Sequence, residues 1–337
     1  AVFPVDATGA QAGSDPLTIV DQSSKTGKLS SIYVQDEWHI SKPLTLNYGL
    51  RYDKVQAFTD EQQWSPRLNL AYQLSKETAL HAGYSRYFTP PPQELASQSS
   101  IDLYANTSNA PSVAKSDNVR AERTHYFDVG LSHAFSPKLT VTADAYYKRI
   151  QNLLDEGQFG QALILSPFNY EKGYAKGVEF SALYSEKNWG TYLNLTVQKA
   201  QATHIVSGQA LFSAEKLGAI ADHYVYLDHD QTVSVSGGGH YHFGDSQVSA
   251  DLLYGSGLRN TPSGAAPNSG RLPRYFTVNT ALTHTWKLSP ANKVEARLAL
   301  INLFDKSYLL RDGTGIGVGA PQYGARRTVY AGVSTSF

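Results

Sequence analysis

Histidine is the strongest metal ligand open to this chain, because its 337 residues include 10 His and no Cys. The absence of cysteine excludes thiolate zinc sites, iron–sulfur clusters, cysteine nucleophiles and disulfides together. One pair stands at ligand spacing: His240 and His242, two apart on one side of a strand, are close enough to share a cation. A carboxylate would have to complete the set, and Asp245 is nearest. The preferred reading is two polar residues lining a lumen, so no metal and no cofactor is assigned. A second group, Asp222, His223, Asp228, His229 and Asp230, sets carboxylates beside imidazoles, which can activate water. Its place in a long polar connection favours a solvated loop instead, and without a Gly-x-Ser-x-Gly elbow no catalytic residue is assigned. Arg326 and Arg327 suit an anionic ligand, but pairing with a carboxylate is the simpler role. Gly237-Gly238-Gly239 is no phosphate cradle, since no helix follows it; it relieves crowding in a curved strand.

Binding is the other chemistry on offer. Tyr104, Phe159, Phe168, Tyr170, Phe212, Tyr224 and Tyr226 all lie in long connections. Such rings either contact a flat, partly apolar ligand such as a metal chelate or pack their own loops into a lid.

The elements that position these residues are strands. Leu139, Val141, Ala143, Ala145 and Tyr147 alternate with Thr140, Thr142, Asp144 and Tyr146. Leu44, Leu46, Tyr48, Leu50 and Tyr52 alternate likewise with Thr45, Asn47, Gly49 and Arg51. The period is two, and no comparable stretch has the 3.6 period of a helix. Short turns occur at residues 41–43, 75–77, 136–138, 186–189, 244–246 and 288–292. Between them lie longer polar connections at 54–63, 89–120, 151–172, 204–228, 258–273 and 305–324. Turns at one end and loops at the other describe an up-and-down antiparallel meander of about 13–14 strands. Trp38, Trp189 and Trp286 fall at the short turns, while Tyr52, Tyr84, Tyr147, Tyr254 and Tyr275 fall near the loop ends. Amphipathic rings sit at these two levels when a sheet crosses a bilayer.

Composition agrees. Charged residues are 17% where roughly 25% is usual. The longest apolar run, Leu298 to Ile301, is far below the roughly 18 residues of a membrane helix, a limit that does not apply to strands. Lys+Arg 29 balances Asp+Glu 29, leaving no basic excess for nucleic acid. The face opposite the apolar one carries Thr, Ser, Asn, Gln and isolated charges rather than the Lys/Glu coat of a soluble sheet. The fold expected is therefore all-β, a transmembrane antiparallel barrel wall. Leu46, Leu50, Leu139, Val141, Ala143, Val248, Leu252, Val294 and Leu298 should face lipid, with Asn47, Arg51, Thr140, Asp144 and Asp251 turned inward.

Val329, Ala331, Val333, Thr335 and Phe337 share one face and close the chain, which resembles the terminal signal that the barrel-assembly machinery reads in bacterial outer-membrane barrels. Thr335 departs from the apolar residue usual there. Residues 33–38 (Tyr-Val-Gln-Asp-Glu-Trp), 48–53 (Tyr-Gly-Leu-Arg-Tyr-Asp), 65–68 (Ser-Pro-Arg-Leu), 84–91 (Tyr-Ser-Arg-Tyr-Phe-Thr-Pro-Pro) and 177–179 (Gly-Val-Glu) resemble, in order, the barrel strands of TonB-dependent receptors. So do Asn302-Leu303-Phe304-Asp305-Lys306-Ser307-Tyr308 and Tyr323-Gly324-Ala325-Arg326-Arg327, the first being the most specific of the set.

The resemblance implies the C-terminal part of a larger receptor barrel, with short periplasmic turns and long extracellular loops, in the bacterial outer membrane. Residues 1–27 would be an extracellular loop segment and 28–337 the barrel part, with the plug and early strands of such receptors lying outside this sequence. It further implies energy-coupled uptake of a scarce nutrient such as a metal chelate. The partners implied are outer-membrane lipid, the barrel-assembly machinery, TonB through an N-terminal region and an unidentified small molecule. A passive porin-like channel is the alternative within transport, and an outer-membrane hydrolase the alternative outside it.

Overall fold

The computed structural model describes residues 1–337 apart from 23, 25, 58, 93–97, 112, 114–115, 160–163, 290–291 and 337. Among the described residues, thirteen long strands pair antiparallel, each with the next in sequence. They are β1 (Lys28–Ser41), β2 (Leu44–Gln56), β3 (Asp60–Gln73), β4 (Thr78–Thr89), β5 (Glu122–Ser136), β6 (Leu139–Phe159), β7 (Ile164–Ser185), β8 (Trp189–Ser207), β9 (Val233–Phe243), β10 (Ser246–Gly255), β11 (Tyr275–Lys287), β12 (Lys293–Ile301) and β13 (Thr328–Ser336). The short strand Val225–Tyr226 also joins the sheet, on β8. Strands β1 and β13 form the two edges, and among the described residues neither pairs with a further strand. Among the described residues, two short helices, Gln98–Asp102 and Ala214–Ala219, are the α-helical elements, and no helix is long and apolar enough to cross a membrane.

Register turns the alternation into two continuous surfaces. Leu44, Tyr72, Leu80, Leu131, Ala143, Phe180, Leu195, Val235, Tyr254 and Phe276 are successive partners, one from each strand β2 to β11. Three residues along each strand from β2 to β8, on the other face, runs Asn47, Asn69, Gly83, Asp128, Tyr146, Gly177 and Gln198. The apolar face keeps its large side chains exposed, among them Val34, Leu68, Val129, Val178, Leu193, Val248, Leu282 and Leu298. In water such a surface would be untenable; against lipid it is the low-energy arrangement. The nine residues expected to face lipid all carry the phase of this surface, and the five expected inward all carry the other. Polar pairing lines the inner face. His81 Nε2 lies 3.3 Å from Asp128 Oδ2 and 3.2 Å from Asp144 Oδ1, and the Tyr192 hydroxyl donates to Asp251 at 3.0 Å. Gly238 sits under that last bond. A Cβ there would collide with Asp251 Oδ1 and come within 2.9 Å of the Ala250 carbonyl oxygen, which is why the strand carries glycine at this point.

The connections differ from expectation at the loop end. The stretch 54–63 forms no long loop, because the β2–β3 ladder runs out to Gln56 opposite Asp60. Likewise 151–172 is mostly ladder, with Phe159 opposite Ile164. Strands of 21 and 22 residues, β6 and β7, are about twice what a bilayer needs. Above the apolar band neither face borders lipid, so the period-two signal fades while the backbone bonding continues. The buried apolar core sits up here: Ile150, Leu153, Phe168, Tyr170, Ala202, Ile205, Phe212, Ile220, Val225, Leu227 and Ile316 pack into one cluster. Among the described residues of 1–27 none joins the sheet, and Leu17 to Val20 is not a strand. Phe3 donates its N–H to Ser108 Oγ at 3.0 Å and Ser108 N–H returns to the Phe3 carbonyl at 2.8 Å, laying this segment against the connection between β4 and β5.

Candidate functional site

The loop end is built from four segments over the β6–β7 extension: 89–120, 204–232, 256–274 and 302–327. Within them, Gln209–Leu211 is a 3-10 turn. Ser213 caps the Ala214–Ala219 helix, accepting from Lys216 N–H at 3.3 Å. The short pairs Arg259–Asn260 with Gly270–Arg271, and Leu309–Arg311 with Gln322–Tyr323, stiffen the last two segments.

Most of the aromatic candidates make this layer rather than its surface. Phe168 and Tyr170 are wholly buried, and Phe159 and Phe212 nearly so. Phe168 meets Tyr170 and Phe212 edge-on at 5.1 and 4.8 Å. Tyr104 lies edge-on to Phe159 at 5.0 Å. These rings exclude water between loops, the self-packing role weighed against ligand contact. Tyr224 is the exposed member, 5.5 Å from Tyr174. Tyr226 is partly exposed, with the Arg259 guanidinium stacked 3.4 Å above its ring.

Polar clasps hold the segments together. Arg259 Nε donates to Asp230 Oδ2 at 2.9 Å with both side chains buried, and Asp230 Oδ1 accepts the Ala200 N–H at 2.7 Å. Asn268, wholly buried at φ 53°, donates Nδ2 to the Tyr226 carbonyl at 2.7 Å and accepts the Ile316 N–H at 2.9 Å. One side chain thereby pins three segments.

Asp155, Asp228 and His229 form the densest group of ligand-type atoms. They are mutually within 4.8 Å and are the group of this kind among the described residues. His229 Nδ1 lies 3.0 Å from Asp228 Oδ1 and 3.9 Å from Asp155 Oδ1, and Arg311 Nε lies 3.6 Å from Asp228 Oδ2. Burial pushes the Asp155 carboxyl up to about 7; the His229 and Arg311 charges and the Glu156 N–H oppose the rise, while Asp228 adds to it. Burial alone would depress the His229 imidazole. The Asp228 bond and the Asp155 and Asp228 charges outweigh it and raise the value. The expectation of a solvated polar loop at 222–230 is thus corrected: Asp228 and Asp230 are buried, because partners distant in sequence compensate them. Nothing local to 222–230 announces Asp155, Arg259 or Arg311.

The other candidates stand apart from this layer. His240 and His242 lie near the turn end on the inner face, rings 5.2 Å apart and edge-on. Asp245, the carboxylate nearest to them in sequence, is paired with Lys287. Arg326 is paired with Asp305 as the simpler reading required. Val329, Ala331 and Val333 hold the lipid-side phase of β13, and Phe337 lies outside the described residues.

An antiparallel meander with an apolar outer surface, a polar inner one, tight turns at one end and a folded loop layer at the other defines an outer-membrane β-barrel wall. Residues 3–303 match the TonB-dependent receptor-like β-barrel family, and the chain belongs to it. The family is one of receptors rather than enzymes, and places the chain in the bacterial outer membrane. A ferric enterobactin receptor of Pseudomonas aeruginosa is 24% identical over 174 residues, 47% of this chain and 23% of that receptor. The FrpB iron transporter of Neisseria meningitidis superposes with a TM-score of 0.65 at 15% identity, covering 94% of this chain and 46% of its own. The siderophore receptor PiuA of Acinetobacter baumannii gives 0.65 at 15%, covering 93% and 43%. These structural likenesses bear on the fold, and the chain spans less than half the length of each relative.

Proposed function

We propose that this chain forms part of a receptor that captures a scarce nutrient at the cell surface and imports it with energy supplied through TonB. A metal chelate is the ligand class favoured. The observation that carries the reading is the family match over residues 3–303 on a wall whose loop end is a packed, bonded layer. A passive channel needs loops that stay out of the way; a receptor needs loops held in a shape. The named cargo of the relatives, ferric enterobactin, iron and siderophore, supports a chelate. Tyr224, with the accessible edges of Tyr104 and Tyr226, offers amphipathic rings to such a ligand. Val329, Ala331 and Val333, with Phe337, would serve as the assembly signal, and residues 1–27 as an extracellular segment.

Uptake of radiolabelled ferric chelates by cells with and without the gene, each with TonB present or deleted, tests the reading. Accumulation that requires both supports it. Entry that is unsaturable and indifferent to TonB would indicate a passive pore.

A further inference from the structure

We propose that Asp155, Asp228 and His229 form a site for a divalent transition-metal ion that is distinct from any transported cargo and locks the loop layer in place. A metal bonded to nitrogen and oxygen at about 2.1 Å with tetrahedral angles holds its ligand atoms about 3.4 Å apart. The His229 Nδ1 separations from Asp228 Oδ1 and Asp155 Oδ1, 3.0 and 3.9 Å, straddle that spacing.

The second observation concerns hydrogen bonding. The Asp155 side chain is only 9% exposed, its Oδ1 accepts the Glu156 N–H at 2.9 Å, and its Oδ2 is buried with no hydrogen-bond partner. The hydroxyl of Tyr170, wholly buried, is likewise without a partner. Buried polar atoms left unmatched are costly, and an unmatched oxygen on one of the three ligand-type side chains points to a cation. Arg311 strengthens the case by its position. Its Nε faces Asp228 Oδ2, leaving Oδ1 turned to His229, as an outer partner that orients a ligating carboxylate should. One imidazole with two carboxylates favours zinc-like ions over calcium or magnesium, which need more oxygen ligands.

The consequence is mechanical. Asp155 belongs to the β6 extension, Asp228 and His229 to the 204–232 segment, and Arg311 to the 302–327 segment. The Arg259 N–H adds a bond to the Asp228 carbonyl at 3.0 Å, and the Gln158 N–H one to the Gly317 carbonyl at 3.2 Å. An ion at this point would add a cross-link between the β6 extension and the 204–232 segment to the side-chain clasps, backbone bonds and apolar cluster that already join the layer.

The test is calorimetric titration of Zn²⁺ into the metal-stripped protein, folded in detergent, at pH 7.5, with proteolysis of the loop layer followed in parallel. One ion per chain, about tenfold or more weaker binding in both Asp155→Asn and His229→Gln, and slower cleavage of residues 204–232 with Zn²⁺ are expected. His223→Ala, which alters an exposed neighbour, should bind as the parent does. The heat-modifiable gel shift of a folded barrel separates lost ligation from lost folding. Absence of Zn²⁺ binding by the parent, binding that survives both substitutions, or equal competition by Mg²⁺ would overturn the proposal. The readout involves no uptake, so the transport reading and this site stand or fall separately.

Discussion

Arg326 grips Asp305 with two prongs, Nε donating to Oδ1 at 2.8 Å and a terminal nitrogen donating to Oδ2 at 2.6 Å, while the Arg327 N–H adds a third bond to Oδ1 at 3.0 Å. The pair closes the base of the segment between β12 and β13 and joins the two receptor-like motifs at 302–308 and 323–327. The Asn302 side chain works beside it, donating to the carbonyls of Lys306 and Ala325 at 2.9 and 2.8 Å.

The Asp305 clasp should be acid-labile. The bond from Arg326, then that from Arg327, hold its carboxyl well below the usual carboxylate range. For a depressed acid, the stabilisation is complete above the unfolded value of about 4 and fades as pH falls from there towards the folded value. Cleavage of residues 305–324 by an acid-active protease should therefore accelerate as pH falls below 4. Asp305→Asn should cleave at one elevated rate across that window; a parent-like acid response in this variant would refute the assignment.

Arg259→Met should open the loop layer. Arg259 and Asp230 have side chains 5% and 0% exposed, so removing the cation strands a buried carboxylate, at a local cost of roughly 3–5 kcal/mol. Hydrogen exchange at the Ala200 and Leu227 amides is the readout. Replacing Asp230 by Leu as well should recover much of the loss at the Leu227 amide, because the unpaired charge then disappears, while the Ala200 amide, whose acceptor is Asp230 Oδ1, should stay unprotected.

Asn268→Ala should loosen the contact between 226 and 316 by roughly 1–3 kcal/mol, leaving a buried carbonyl and N–H unmatched. At φ 53° alanine is also strained. Asn268→Gly removes the strain but not the lost bonds, so it should remain destabilised, with its deficit smaller by several tenths of a kcal/mol to about 1. A glycine variant as stable as the parent would show that backbone conformation alone matters.

Because the chain has no cysteine, single-cysteine labelling can read the wall residue by residue. Cysteines at Leu46, Val141 and Leu298 should react with a lipid-dissolved maleimide, and those at Asn47, Thr140 and Asp251 with a water-soluble one. Equal labelling of neighbours would contradict the two-faced wall.

What the residues determined by themselves is the wall. Alternation, tight turns and the tryptophan level are local properties of a pleated strand, whose two faces are set by a repeat of two. Reading Leu139 to Tyr147 therefore suffices to say which side chains meet lipid. The glycine run at 237–239 was legible for the same reason, since crowding acts between adjacent strands. The loop layer was not legible. Asp228 and Asp230 read as solvated because burial of a charge depends on its partners, and these come from β6 and from residues 259 and 311. Phe168 and Tyr170 carry the same composition whether they face a ligand or a core. Only the tertiary arrangement, which closes loops tens of residues long onto one another, decided that they pack inward while Tyr224 stays exposed.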